Sequence, residues 1–300
     1  MVIERNTSQV KKIIAKAKNK KLLVGFVPTM GALHPGHLSL VKEAKKKCGF
    51  VVVSIFVNPI QFGPKEDFSS YPRDFRNDEK LLRSEGVDLI FYPDCRNMYK
   101  EGFSTFVEEK RLSRFLCGQA RPGHFKGVCT VLVKLFNIVS PDIAYLGSKD
   151  YQQAQIVKKM AADLDFSLKI KVLPIVREKN GLAMSSRNAY LSREEKDQAG
   201  CLYRALITAK KLVAAGETMS PKIITAIRRI ILSEKHIRVD YIRIVDATTL
   251  ENKSRVKGKV LVALAVYISG VRLIDNIVLN GKKVNAGKVH SRLSRQKGRK

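Results

Sequence analysis

The sequence predicts an α/β fold in which a parallel sheet is followed by a smaller α+β region. Short apolar runs alternate with helical patterns up to residue 176, the run 50–57 is apolar apart from one serine, and the pattern changes after residue 176. A β-branched apolar run of this kind is typical of a strand buried on both faces of a parallel sheet. The alternation therefore predicts a Rossmann-like sheet with helices on both faces.

The first region, residues 1–176, contains the strand and helix patterns of this sheet. Short apolar runs predict strands at residues 22–27, 50–57, 87–92, 143–146 and 170–176. Helical patterns predict helices at residues 36–47, 74–84, 128–139 and 151–163. Because ligands of open parallel sheets bind at the carboxyl ends of the strands, we expect the functional residues in the loops that follow them.

The second region, residues 177–281, begins in the polar loop 177–181. Two long helical patterns, at residues 193–215 and 221–235, come first. Three strand patterns follow at residues 239–245, 259–268 and 271–276. Helices followed by hairpin strands predict a smaller C-terminal α+β domain.

Composition excludes several classes of protein. With 45% apolar and 28% charged residues, the chain is neither wholly disordered nor a fibrous repeat. Its longest apolar runs fall well short of the ~18 residues of a membrane helix, and residues 1–12 lack the apolar stretch of a secretory signal. The five scattered cysteines never form C-x-x-C, which argues against a disulfide framework or a structural zinc site. We expect a soluble, cytoplasmic protein without membrane association.

The formal net charge is +29, and residues 282–300 carry eight lysines and arginines but no acidic residue. This excess of positive charge favours binding to polyanionic partners such as nucleic acid, a membrane surface or phosphorylated metabolites. No aromatic-interleaved nucleic-acid motif accompanies it, so we expect a solvated basic surface with at most non-specific polyanion binding. Because like charges repel, residues 282–300 are predicted to form a disordered basic tail.

The loop after the first strand pattern carries the string VPTMGALHPGH at residues 27–37. In it, His34 and His37 frame Pro35 and Gly36 at the start of a helix. Imidazoles and unpaired N–H groups at a helix N-terminus suit a triphosphate, and Gly36 allows close approach to the backbone. A pair of metal ligands or a structural turn are the alternatives, although no third ligand lies nearby in the sequence.

Uncharged amides follow the next strand pattern, where Asn58 and Gln61 flank Pro59. An amide offers a donor and an acceptor without charge, which suits a small hydroxy-carboxylate. The alternative for Gln61 is a turn-capping amide. These two side chains are expected to face the same cleft as the histidines.

The segment GSKDYQQ, residues 147–153, follows the strand pattern 143–146. In it Lys149 offers a mobile positive charge for phosphate, Asp150 can accept hydrogen bonds from ribose hydroxyls, and Gln153 lies on the first helical turn. The alternative is that Lys149 and Asp150 form a surface ion pair.

The segment MSSR, residues 184–187, lies just past the boundary of the two regions. Its two hydroxyls and its guanidinium bind phosphate oxygens well, the guanidinium bidentately. The alternative is an ordinary Ser-Ser helix cap before Asn188.

Taken together, these segments resemble the pantothenate synthetase (pantoate–β-alanine ligase) family of the H-x-G-H nucleotidylyl-transferase superfamily. Besides the string at 34–37, the resemblance rests on six segments that occur in family order between about residues 22 and 279. They are FVNPIQF (56–62), YPR (71–73), RPGHF (121–125), GSKDYQQ (147–153), MSSRN (184–188) and RLIDN (272–276). Ser148 stands where the family usually has Glu, which leaves one polar contact near the ribose in doubt.

The resemblance implies an ATP-dependent carbon–nitrogen ligase of coenzyme A biosynthesis. Pantoate and ATP would form pantoyl adenylate and pyrophosphate, and β-alanine would then release AMP and pantothenate. His37 is the expected principal catalytic residue, together with His34, Lys149 and Arg187. Mg²⁺ is expected to bridge phosphate oxygens, with Asp78 as a candidate residue near the ion.

The resemblance also implies the binding residues and the assembly. The residues expected to bind ATP are Met30, Gly31, Ala32, Leu33, His34, Pro35, Gly36, His37, Gly147, Ser148, Lys149, Asp150, Val176, Met184, Ser185, Ser186 and Arg187. Those expected to bind pantoate and β-alanine are Gln61, Gln153 and Asn58. A homodimer is expected, with Arg121 and His124 at the subunit contact.

Two other functions are compatible with parts of the sequence. One is another H-x-G-H enzyme, such as a mononucleotide or phosphopantetheine adenylyltransferase, although such enzymes are usually shorter and segment 56–62 argues against them. The other is a nucleic-acid-binding module, which only the charge of +29 suggests. Salt-dependent RNA retention without ATP turnover would favour the latter.

Overall fold

A six-stranded sheet organises the first region in the computed structural model, which describes residues 1–64 and 66–281. Its strands are β1 (Val2–Glu4), β2 (Val24–Thr29), β3 (Phe50–Ile55), β4 (Leu89–Phe91), β5 (Ile143–Gly147) and β6 (Lys169–Leu173). They lie in the order β1-β4-β3-β2-β5-β6, and each neighbouring pair is parallel. The predicted Rossmann-like parallel sheet is therefore confirmed.

Helices cover both faces of this sheet. They are α1 (Thr7–Asn19), α2 (Pro35–Lys47), α3 (Phe75–Ser84), α4 (Cys95–Met98), α5 (Cys117–Ala120), α6 (His124–Val139) and α7 (Tyr151–Asp163). Side chains of α1, α6 and α7 pack on one face, and those of α2 and α3 pack on the other. Along β3, Val52 joins the first core, whereas Val51 and Val53 join the second. The strand is thus buried on both faces, as its continuous apolar run predicted.

The second region combines helices with a three-stranded antiparallel sheet. Its elements are α8 (Arg193–Ala199), α9 (Cys201–Ala214), α10 (Ser220–Leu232), β7 (Ile237–Asp246), β8 (Gly258–Ile268) and β9 (Val271–Gly281). The strands lie in the order β7-β8-β9 and enclose a separate apolar core with α9 and α10. This arrangement confirms the predicted smaller α+β region.

Several element boundaries differ from the predictions. Neither β1 nor α1 was predicted, because β1 has only three residues and α1 buries just three of its side chains. The helix predicted at 193–215 is interrupted at Gly200 and forms α8 and α9. Strand β6 ends before Pro174, which lacks the N–H group needed to continue the ladder.

The two regions contact each other directly. Val245, Leu250, Leu261 and Ala263 of the second region join the core formed by α6 and α7. The hydroxyl of Tyr151 also donates to the carbonyl oxygen of Ala247 over 2.9 Å. The smaller sheet therefore stands beside the start of α7, next to the carboxyl end of β5.

The predicted disordered tail, residues 282–300, lies outside the described residues. Among residues 1–64 and 66–281, no helix combines the length and the apolar character required to cross a bilayer.

Candidate active site

The carboxyl ends of β2 and β5 lie side by side where the strand order reverses direction. Crevices at such points are the usual ligand sites of open α/β sheets. Here the loops after β2, β3 and β5 line a cavity of about 240 Å³. Of the residues predicted to bind or react, the lining includes Met30, His34, Gly36, His37, Asn58, Gln61, Gly147, Lys149, Asp150, Gln153, Val176, Met184, Ser185, Ser186 and Arg187.

The two histidine rings lie against each other at the start of α2, with ring centroids 4.0 Å apart and planes tilted by 30°. Nδ1 of His34 accepts the N–H of Gly36 over 3.1 Å, and Nδ1 of His37 accepts the N–H of His34 over 3.4 Å. A Cβ atom at position 36 would lie 2.7 Å from Cε1 of His34, so glycine is required to seat that ring. With both Nδ1 atoms accepting, each neutral ring carries its hydrogen on Nε2.

Both imidazoles are uncharged at neutral pH. Burial, reinforced by the charge of Lys149, lowers the pKa of His34 to about 4. Burial, followed by repulsion from His34 and Lys149, lowers the pKa of His37 well below its usual value. The histidines therefore offer hydrogen-bond donors, and the positively charged side chains of the cavity lining are Arg121, Lys149 and Arg187.

The loop between β2 and α2 is shaped by Asp78 of α3. Its two carboxylate oxygens accept the N–H groups of Ala32 over 2.9 Å and of Leu33 over 2.7 Å. Gly31 precedes them with a φ of +84°, and a Cβ atom there would lie 2.9 Å from Asp78 Oδ2. The structure thus gives Asp78 a loop-shaping role that the sequence did not indicate, while its association with Mg²⁺ stays a prediction.

The amides after β3 form one hydrogen-bonded unit. Asn58 Nδ2 donates to Gln61 Oε1 over 3.0 Å and to the carbonyl oxygen of Gly127 over 3.2 Å. The hydroxyl of Tyr99, which the sequence did not single out, donates to Asn58 Oδ1 over 2.7 Å. Gln61 Nε2 contacts the sulfur of Met30 at 3.0 Å. Asn58 is almost completely buried and fixes the orientation of Gln61, which lines the cavity.

Lys149 lies in the 3-10 turn Ser148–Asp150 between β5 and α7. Its Nζ atom is 3.7 Å from Asp150 Oδ1, and one fifth of its side chain is exposed. The ion pair considered as an alternative is thus present, but within the cavity wall. Gln153 lies one turn further along and lines the same cavity.

Arg187 approaches the cavity from the second region. Its guanidinium forms a bidentate ion pair with Asp67, with nitrogen–oxygen distances of 2.9 and 2.7 Å. Ser185 Oγ accepts the N–H of Arg187 over 3.3 Å and caps the 3-10 helix Ser186–Tyr190. Ser186 Oγ donates to the carbonyl oxygen of Ala32 over 3.0 Å. The serine cap considered as an alternative is therefore present. The same segment also contacts the loop before α2 through Ser186.

A sequence model of the pantoate-beta-alanine ligase family matches residues 2–278. The chain belongs to this family. The match favours the family over the H-x-G-H adenylyltransferases and the nucleic-acid-binding module considered above.

Relatives in the pantoate-beta-alanine ligase family match over nearly the whole chain. The pantothenate synthetase of Caldicellulosiruptor bescii is 51% identical over 282 residues, which cover 94% of this chain and 100% of the relative. Pantothenate synthetase from Thermus thermophilus, known from a crystal structure, has 42% identity and a TM-score of 0.87, with coverage of 92% and 99%. The ligase of Francisella tularensis, crystallised with β-γ ATP and β-alanine, has 35% identity and a TM-score of 0.78, with coverage of 93% and 97%.

A larger cavity of about 630 Å³ adjoins the first one, between the two regions of this ligase-family chain. Arg121 and His124, predicted at a subunit contact, line both cavities. Arg121 pairs bidentately with Glu66, with both distances at 2.6 Å, and His124 Nδ1 contacts the carbonyl oxygen of Gln61 at 2.9 Å. Although burial opposes it, the hydrogen bond from Arg121 lowers the pKa of Glu66 to about 2.

The acidic loop that contains Glu66 and Asp67 thus holds two arginines of the cavity walls, Arg121 and Arg187. Neither carboxylate was singled out from the sequence. Their pairing partners lie 55 and 120 residues away along the chain, so no local pattern marks them.

Proposed function

We propose that the chain condenses (R)-pantoate with β-alanine, using ATP, to give pantothenate, AMP and pyrophosphate through pantoyl adenylate. The observation that carries this proposal is the cavity at the ends of β2 and β5, whose lining includes the imidazoles of His34 and His37, the amides of Gln61 and Gln153, and Lys149. Membership of the pantoate-beta-alanine ligase family supports the reaction. The complex of the Francisella tularensis relative supports ATP and β-alanine as substrates.

In the first half-reaction, a carboxylate oxygen of pantoate attacks the α-phosphorus of ATP, and the bond to the bridging oxygen of pyrophosphate breaks. Such a transfer needs positioning and charge stabilisation more than covalent help from the protein. We infer that the Nε2–H groups of His34 and His37 donate to phosphoryl oxygens, His37 to the departing group. Lys149 and Arg187 balance the charge that grows there.

In the second half-reaction, the amine of β-alanine attacks the acyl carbon of the adenylate. The bond from that carbon to the AMP oxygen breaks, AMP leaves with that oxygen, and the nitrogen releases a proton to solvent as it becomes the amide of pantothenate. Gln61 and Gln153 are proposed to hold pantoate through both steps, with Asn58 fixing Gln61. Because neither amide is charged, both can contact a carboxylate substrate and a neutral adenylate carbonyl.

The remaining predicted ATP contacts are proposed on the same grounds. They comprise the loop 30–37, the turn 147–150, Val176 and the segment 184–187, which line or adjoin the cavity. Residues 177–281 are proposed to form a lid domain on the first domain, residues 1–176, because Arg187 and Ser186 reach across to Asp67 and Ala32.

Mg²⁺ is proposed to enter with ATP. Within the part of the chain that the structure describes, no three His, Cys, Asp or Glu side chains gather as a metal site. This composition fits Mg²⁺, which is usually held by substrate phosphates, water and one or two carboxylates. Asp78, which holds the loop before α2, is the carboxylate proposed to lie near the ion, and Asp150 is a second carboxylate, in the lining of the histidine-lined cavity. When bound, the ion would offset the negative charge of the phosphates.

Three further proposals concern the whole protein. A homodimer is proposed because the family resemblance implies it, and sedimentation tests it. A cytoplasmic location is tested by cell fractionation. Non-specific polyanion binding is supported by the charge of +29 and is tested by salt elution from heparin.

The test of the reaction is ATP–pyrophosphate exchange, with AMP and pantothenate followed by mass spectrometry. Exchange is expected to require pantoate but not β-alanine, since the groups for adenylation are complete before the amine enters. His37→Ala and Lys149→Ala should each lose roughly 10²–10³-fold in rate, whereas Lys158→Ala on the exposed face of α7 should not. Exchange that needs all three substrates, or near-normal rates in both variants, would contradict the proposal.

A further inference from the structure

The RLIDN segment, residues 272–276, carries no part of the reaction proposed above. It nevertheless contacts the 3-10 turn Ser148–Asp150, the lysine turn, which carries Lys149. Asn276 of β9 is 8% exposed. Its Nδ2 group donates to the carbonyl oxygen of Ser148 over 3.0 Å and to that of Lys149 over 2.8 Å. One side chain of the second region therefore holds two consecutive peptide groups of the first region.

The preceding residue anchors Asn276 itself. Asp275 Oδ1 accepts the N–H of Asn276 over 2.7 Å. The Asp275 carboxylate also pairs bidentately with Arg177, over 2.6 and 2.9 Å. Arg177 in turn donates to the carbonyl oxygen of Gly181 over 3.0 Å. Gly181 belongs to the segment that leads along the chain to Arg187. The side-chain amide is thus presented by a strand that is braced against the segment joining the two regions.

The chemistry of the contact requires an amide. A carboxamide nitrogen has two hydrogens, which match two carbonyl oxygens, whereas a carboxylate would present only acceptors to them. The turn Ser148–Asp150 begins after Gly147, which has no side chain that could cap it. The contacts from β9 therefore restrain the backbone that carries Lys149, and a misplacement of about 1 Å at a reacting group can cost 10²-fold in rate.

We propose that Asn276 is a positioning residue for Lys149, acting through the backbone of residues 148 and 149 across the interface of the two regions. The proposal rests on the function proposed for Lys149. It makes adenylation dependent on contact between β9 and the lysine turn, and it assigns a task to the RLIDN segment that is separate from substrate contact.

Two variants and a matched control test the proposal. Asn276→Asp keeps the shape of the side chain and Asn276→Ala keeps its neutrality, so an effect shared by both reports the lost donors. Asn280→Asp makes the same change at an exposed position of the same strand. Both Asn276 variants should lower the rate of ATP–pyrophosphate exchange by roughly 10–100-fold, and Asn280→Asp should stay within about threefold of the unchanged protein.

A double-mutant cycle separates positioning from general structural damage. In a Lys149→Ala background, Asn276→Ala should lower the remaining exchange rate by less than about threefold, since its effect passes through the missing lysine. A loss in that background as large as in the unchanged protein would overturn the proposal. So would exchange rates for both Asn276 variants equal to that of Asn280→Asp.

A second measurement does not depend on turnover. Acylation of Lys149 by an N-hydroxysuccinimide ester, read by peptide mass spectrometry, should be several-fold faster in Asn276→Ala than in the unchanged protein or in Asn280→Asp. Unchanged labelling of Lys149 would overturn the positioning role. If instead the unchanged protein showed no exchange activity, the proposed function would fail while the labelling result still reported on the contact.

Discussion

At the scale of residues, the site separates hydrogen bonding from charge. His34 and His37 are held neutral by burial and by Lys149, and their Nδ1 atoms are occupied by backbone N–H groups. Lys149 and Arg187 are the cationic groups proposed to face the phosphates. This division suits a reaction in which oxygens on phosphorus gain negative charge. Neutral N–H donors stabilise that charge by hydrogen bonding without giving up a proton.

The titration of His34 tests this arrangement. The His34 ring should titrate with a pKa of about 4 in an NMR experiment, because burial opposes its charged form. Replacing Lys149 by Met should raise the pKa of both His34 and His37, since the lysine charge contributes to both shifts. A His34 titration near 6.5 in the unchanged protein would show that the ring is not shielded.

The same shift predicts how stability depends on pH. Between pH 6.5 and about 4, the unfolded chain binds a proton at His34 that the folded protein does not, so stability falls as the pH falls through this window. His34→Asn keeps a side chain that caps α2 but cannot titrate, and should lose less stability between about pH 7 and about pH 4.5. Thermal unfolding measures the loss, and equal losses in His34→Asn and in the unchanged protein would contradict the prediction.

Arg187 should act mainly in the transition state. If it closes on the phosphates from the second region, Arg187→Ala will lower the adenylation rate more than it raises the KM for ATP. Asp67→Asn should instead lower the KM for ATP, because Asp67 occupies the guanidinium in the unliganded protein. Steady-state kinetics checks both, with Arg204→Ala as the control; a change confined to the KM in Arg187→Ala would contradict the lid role.

At the scale of elements, helix α3 determines the shape of a loop that belongs to β2 and α2. Asp78 is buried, and burial raises its pKa, although the N–H groups of Leu33 and Ala32 favour the charged form. The loop bends at Gly31, where the left-handed backbone leaves room for that carboxylate. The loop before α2 therefore depends on helix α3, whose Asp78 lies 45 residues beyond Leu33 along the chain.

An Asp78→Asn substitution isolates this dependence. An asparagine has one acceptor oxygen, so one of the two N–H groups of Ala32 and Leu33 loses its partner and the loop shifts. We expect a loss of roughly tenfold or more in exchange rate, with a smaller change in stability because a buried charge is also removed. Asp74→Asn, at the exposed N-cap of the same helix, is the matched control, since Asn caps equally well. Equal rates for the two variants would show that Asp78 does not shape the loop.

At the scale of the whole molecule, contacts between the two regions converge on the ends of the parallel strands. Asp275 and Arg177 brace the second sheet against the connecting segment, and Ser186 and Arg187 reach the first region. The two cavities meet at Lys149, Gln153 and Arg187. A change in the position of the second region relative to the first would therefore alter the shape of both cavities together.

The buried ion pair between Arg177 and Asp275 should matter for stability far more than an exposed pair. The side chains of Arg177 and Asp275 are 18% and 1% exposed, and removing one partner leaves the other charge uncompensated. We expect Asp275→Asn to lower the free energy of unfolding by about 3 kcal/mol. Glu234→Gln, which breaks the more exposed pair with Arg204, should cost less than about 1 kcal/mol. Denaturant unfolding of both variants measures the difference, and equal costs would contradict the bracing role.

The fold was predictable because its signal is local. A strand buried on both faces of a parallel sheet needs a continuous apolar run, and residues 50–57 have one. Strand β1 was missed because three half-exposed residues at a sheet edge carry no such pattern. The helical pattern continues on both sides of Gly200, so the sequence did not separate α8 from α9.

The sequence by itself determined the parallel sheet, the second α+β region and the motifs at the strand ends, because periodicity and motif strings are properties of neighbouring residues. Only the tertiary structure decided which distant groups meet. Asn276 reaches a peptide group 127 residues earlier, and Arg187 pairs with a carboxylate 120 residues away. The neutral state of the histidines was likewise decided in three dimensions, because burial and the distance to Lys149 exist only once the chain has folded.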